Sequence, residues 1–128
     1  MSIAVEISPG ELIDKLTILD IKLERISDPD KLANIRKERD TLMRTFRQHV
    51  QATPETTTLM AELRATNAAL WDIEDDIRDH ERDANFGESF ITLARSVYRM
   101  NDQRAAIKRR INDLLGSELV EEKSYSAY

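Results

Sequence analysis

The chain has 128 residues, 19 basic and 24 acidic side chains, a net charge of −5 and no cysteine. The missing cysteines exclude disulfides, zinc–thiolate sites, iron–sulfur clusters and thiol nucleophiles. The acidic balance argues against general nucleic-acid binding and against anionic membranes.

Length predicts one helical-bundle domain over residues 1–128. Hydrophobic residues make up 41% and charged residues 34%, a pairing that suits long helices with solvated faces and is too apolar for disorder. Only three glycines and three prolines are available to turn the chain. Met1–Ile7 lacks the basic start and apolar stretch of a secretory leader, and no run approaches the roughly 18 apolar residues of a membrane span. A cytoplasmic protein is expected.

Ile3, Val5 and Ile7 alternate with smaller or polar residues, the pattern of a short extended segment. Ser8-Pro9-Gly10-Glu11 then reads as a helix start, with Ser8 at N-cap, Pro9 at N1 and Glu11 completing a capping box. Leu12, Leu16, Leu19, Leu23 and Ile26 form the first seam, and Ile13, Ile18 and Ile21 widen it. A helix this apolar touches more than one neighbour, and the surplus predicts self-association. Ser27-Asp28-Pro29 stops it and caps the second helix, whose seam is Leu32, Ile35, Leu42 and Phe46, interrupted by Arg39. A break at Gln51–Pro54 opens the third helix, marked by Leu59, Leu63, Leu70, Ile73 and Ile77. Asn85-Phe86-Gly87 makes the next turn, with Phe86 stapled to Phe90 or Ile91. The fourth helix carries Phe90, Leu93, Val97, Ile107, Ile111 and Leu114 and ends at Gly116. Glu118–Tyr128 has no helical stripe and is expected to be an ordered, non-helical tail that can pair with the N-terminal segment.

The predicted architecture is all-α: an antiparallel four-helix bundle or a pair of helical hairpins. Helix three is acidic (Asp72, Glu74, Asp75, Asp76, Asp79, Glu81, Asp83) and helix four basic (Arg95, Arg99, Arg104, Lys108, Arg109, Arg110). Folding about Phe86 sets these charges opposite one another, where they are expected to fix register.

Several chemistries are missing their motifs. Neither His49 nor His80 has a Glu three residues earlier, so the ligand pair of di-iron bundles is absent. There is no Gly-rich phosphate loop and no serine elbow. Glu74, Asp75, Asp79 and Asp102 offer hard oxygen ligands for a magnesium-dependent nucleotide hydrolase, though without that enzyme class's Glu-Glu-x-x-Glu spacing. The stretch Glu11–Arg25 resembles the first helix of chorismate mutases, and Arg25, Arg39 and Arg104 are the cations such an enzyme would use. Asp28-Pro29 breaks the helix that family keeps continuous. No cofactor is expected.

One constellation stands out. Asn101, Arg104 and Lys108 fall on the inward progression of helix four, between Val97 and Ile111. On helix three, Trp71, Glu74 and Arg78 make a polar-aromatic stripe together with Asn67 and Glu81. A bundle tolerates such a layer when its members are paired or wet. These residues form either an ion network that sets register or a site for an anionic ligand or a partner peptide. Arg104 is expected to pair with Glu74, with another acid of helix three, or with Asp14.

The strings Ser8–Leu19, Leu70–Arg78, Ala94–Tyr98, Asn101–Lys108 and Gly116–Tyr125 together resemble a family of small bacterial and phage proteins carrying only a domain-of-unknown-function label. Similar segments in that family lie beside or fused to tetratricopeptide and sugar-transferase proteins. The resemblance implies a role near surface-glycan biosynthesis and brings no catalytic residues with it. The expected function is a binding or assembly module that self-associates, with a protein partner and with neither nucleic acid nor membrane. The alternative is a small-molecule enzyme or sensor that holds an anion on the Arg/Lys layer.

Overall fold

A computed structural model describes all 128 residues. It contains four helices, α1 (Pro9–Arg25), α2 (Pro29–His49), α3 (Pro54–Arg82) and α4 (Glu88–Leu114), and no strand. Each of the first three starts with proline at N1, where a missing N–H costs nothing. Ser8, Asp28 and Thr53 cap them by accepting from backbone N–H groups two or three residues on. The box predicted at Ser8 is only half made. Its hydroxyl accepts from the Glu11 N–H, while the Glu11 carboxylate turns to Lys108. α4 ends in a Schellman turn: Gly116 adopts φ 65°, and the Ser117 N–H donates to the Asn112 carbonyl at 2.8 Å.

The order is up, down, up, down. α1 packs on α2, α3 and α4, and α3 packs on α4, whereas α2 runs along α1 without lying against α3 or α4. The shared core joins Leu12, Ile13 and Leu16 of α1, Phe46 of α2, Leu59 and Leu63 of α3, and Ile107 and Ile111 of α4. The broad apolar girth of α1 therefore serves three neighbours within the chain.

Helix length sets the outline. At 1.5 Å per residue α1 is about 25 Å long, whereas α3 reaches about 43 Å. All buried residues of α3 lie between Thr56 and Asn67, and all those of α4 between Ile107 and Asn112. The distal α3–α4 hairpin extends past the end of α1 as an arm. Phe86 and Phe90 meet edge-on near its tip with ring centres 5.3 Å apart, and Phe86 stays half exposed.

Both chain ends depart from expectation in detail. Met1–Ile7 is extended but exposed and forms no strand pairing. The tail turns back along α4 instead, with Glu121 at Lys108, Glu122 at Arg109 and Tyr128 at Tyr98. The acidic and basic helices do not neutralise each other along the arm. Asp72 pairs with Arg25 of α1, Glu74 with Arg78 and Asp79 with Arg82, leaving Glu62–Arg110 as the ion pair between α3 and α4.

Candidate functional site

The polar layer forms where the first two-thirds of α1 lies in the groove between α3 and α4. Ser8, Glu11, Asp14 and Thr17 are spaced by three and share one side of α1. Asp14 is at the centre, with its side chain 2% exposed. Arg104 donates to it twice, from Nε to Oδ1 at 2.9 Å and from an Nη to Oδ2 at 2.5 Å. This is the fork-on-carboxylate geometry that only arginine provides. The Asn67 side-chain amide donates to Asp14 Oδ1 and to Thr17 Oγ1, both at 2.9 Å. Burial alone raises the Asp14 pKa, but the hydrogen bonds from Arg104 and Asn67 and the charges of Arg104 and Lys108 outweigh it. The carboxyl is held below its ordinary value.

One turn along α4, Lys108 reaches Glu11 at 2.7 Å and Glu121 of the tail at 2.9 Å, with its side chain 7% exposed. Burial pulls the ammonium pKa down, and the bonds to Glu11 and Glu121 more than reverse that. Glu121 is lowered by the same contact with Lys108. A turn further, the Gly10 N–H donates to Asn112 Oδ1 at 2.7 Å in a buried setting. No buried side-chain polar atom in the protein lacks a partner.

Arg104 and Lys108 thus meet in one layer, and Asn101 sits half-buried one turn beyond them. Of the partners weighed for Arg104 the structure selects Asp14. Trp71 is half-buried just past the layer, while Glu74 and Arg78 lie exposed on the arm and pair with each other at 3.7 Å. The inner stripe of α3 leaves the interior after Asn67 because α1 ends. The residues missed were Glu11, Thr17, Asn112 and Glu121. The line of polar residues every third position from Ser8, among the leucines and isoleucines of α1, was the signal for the first two.

The two enzyme constellations do not assemble. Arg25, Arg39 and Arg104, on three different helices, are taken by three separate partners, Asp72, Asp20 and Asp14. Among the proposed magnesium ligands, Glu74 and Asp79 pair with arginines a turn away, and Asp102 accepts from the Tyr128 hydroxyl at 2.5 Å.

Fold and site define a small helical bundle whose interior cations are held by carboxylates of its own chain. Residues 3–128 match the model described as Family of unknown function (DUF6165), and the chain belongs to that family. No curated protein and no solved structure matches it. No helix is long and apolar enough to cross a membrane.

Proposed function

We propose that this chain is a binding or assembly module acting in the cytoplasm, in which the polar layer serves as scaffold. The observation that supports this is the saturation of Arg104 and Lys108. An anion-binding enzyme keeps its cations available for substrate, whereas here Asp14, Glu11 and Glu121 consume them. What the scaffold displays is the α3–α4 arm, whose apolar residues have no covering element. A link to surface-glycan biosynthesis belongs to this reading through the family resemblance alone. Deletion of the gene followed by surface-glycan analysis tests that link, and unchanged glycans end it.

A thermal-shift screen with phosphate, citrate and sugar nucleotides tests the module against the anion site. A ligand at 100 times its dissociation constant adds about 2.7 kcal/mol, and no such rise is expected. Stabilisation by one of these anions that vanishes on Arg104→Lys replacement overturns the reading in favour of a ligand site.

A further inference from the structure

The groove between α3 and α4 is one continuous feature with two halves. α1 fills the basal half, where Asn67, Arg104 and Lys108 meet it. Steps of three and four residues carry the same faces into the arm. On α3 they bring Leu70, Trp71 and Ile77 to the open groove, and on α4 Phe90, Leu93 and Val97. These six large apolar side chains are each only partly buried, and beyond the end of α1 no other helix lies over the hairpin. Two helices alone cannot enclose a core, so this face is incomplete in the single chain.

Surface area gives the same result. A compact protein of 14.8 kDa exposes about 7,000 Å² by the size scaling of monomers, whereas this chain exposes 9017 Å². Most of the large apolar side chains left exposed lie in the two terminal segments, and Phe86, Ile91 and Tyr98 add to them on the arm.

We propose that the open half of the groove is covered by the arm of a second copy of this chain, packed antiparallel across a two-fold axis near Ile77. This rests on the reading of the chain as an assembly module. Sterics choose the direction. With the arms parallel, both copies of α1 would fall in the same space between the two grooves. With the arms antiparallel, each tip abuts the end of the partner's α1 and fills the half that α1 leaves free.

Charge agrees with that pairing. The acids Asp76, Asp79 and Asp83 lie on the side of α3 away from the groove and are exposed, while Asp72 turns to Arg25 at the end of α1. On the groove side the charged residues nearest the axis are Glu74 and Arg78, with Glu81 one turn nearer the tip. Within the chain Glu74 and Arg78 make only a 3.7 Å contact, with 52% and 78% of their side chains exposed. A two-fold axis between them sets Glu74 of each copy beside the other copy's residue 78, giving two equivalent ion pairs.

Light scattering and sedimentation of the full chain across a dilution series test this. The wild type is expected to be a dimer. Glu74→Arg and Arg78→Glu alter exposed positions, so the fold persists by circular dichroism. Each is expected to weaken the dimer about tenfold or more by opposing like charges at two symmetric contacts. The Glu74→Arg/Arg78→Glu double exchange is expected to return the dimer to within about threefold of wild type, because complementarity is restored. A wild type that stays monomeric at high micromolar concentration overturns the proposal and self-association together. A dimer indifferent to both single exchanges and to Val97→Glu overturns the arm interface and leaves the assembly reading standing.

Discussion

Asp14 and Arg104, 90 positions apart, meet through two hydrogen bonds of 2.9 and 2.5 Å and fasten α1 to α4. Asp14 is almost fully enclosed, with Asn67 and Thr17 completing its surroundings. Removing the guanidinium by Arg104→Ala strands an ionised carboxylate in an almost fully enclosed place. The expected loss is about 3–5 kcal/mol, read by urea denaturation at neutral pH. A loss under about 0.5 kcal/mol, the range of ordinary surface changes, contradicts the structural role.

Titration follows from the same contact. The folded pKa of Asp14 lies below its unfolded value, because the bonds from Arg104 and Asn67 overcome the upward push of burial. The folded state therefore binds fewer protons here, and this stability is fully present above the unfolded pKa of about 3.9. It is lost as pH falls through the lower folded value. Glu121, lowered by Lys108, acts in the same sense. The melting temperature is expected to hold between neutrality and pH 5 and to fall steeply below pH 4. In Asp14→Asn, already destabilised, the acid slope is expected to be shallower. An equal slope in the two proteins assigns acid sensitivity elsewhere.

The tail is held by side chains, not by backbone pairing. Lys108 grips Glu121, Arg109 lies 3.6 Å from Glu122, and the Tyr128 ring sits 4.9 Å from that of Tyr98. Within Glu118–Tyr128 the one backbone N–H with an acceptor is that of Leu119, bonded to Ser117 Oγ. Fast amide exchange is thus expected even in the docked tail, and proximity is the proper measure. Cross-peaks between the Tyr98 and Tyr128 rings are expected in nuclear Overhauser spectra and are expected to weaken in Glu121→Gln. That variant is also expected to lose about 1 kcal/mol or less, because Glu121 is partly exposed and its pairing is screened by solvent. Absence of the cross-peaks in the wild type contradicts docking.

Local chemistry made the helices legible in the sequence. Pro9, Pro29 and Pro54 with their capping neighbours mark three starts, and the three–four spacing of leucines and isoleucines marks the inward faces. Arg104 and Lys108 were legible as inward cations for the same reason. Their partners were not, because choosing Asp14 over Glu74 depends on which helix lies in the α3–α4 groove and how far it reaches. α1 stops at Arg25, so the face that is interior at Asn67 is open at Trp71, Glu74 and Arg78. Periodicity reports which way a residue points, not whether another element waits there.

Gly10 is the tightest joint in the layer. A Cβ on it would stand 2.7 Å from the Lys108 carbonyl oxygen and 2.8 Å from Asn112 Oδ1. The first of these is backbone of α4, so a side-chain rotation can relieve only the second. Gly10 sits in helical conformation next to Pro9, and alanine suits that backbone better than glycine does. Space decides the outcome, not propensity. Gly10→Ala pushes the start of α1 away from α4, lengthens the 2.7 Å bond to Asn112 and loosens Glu11 from Lys108. The expected cost is about 1–3 kcal/mol, as for overpacking a filled core. Asn112→Ala removes one of the two clashing atoms but strands the Gly10 N–H, at about 1–3 kcal/mol by itself. The two changes relieve a shared clash, so the double variant is expected to lose less than the sum of the singles. A double-mutant cycle by chemical denaturation measures this, and strict additivity shows that the contact with Asn112 is not the source of the cost, leaving the Lys108 carbonyl.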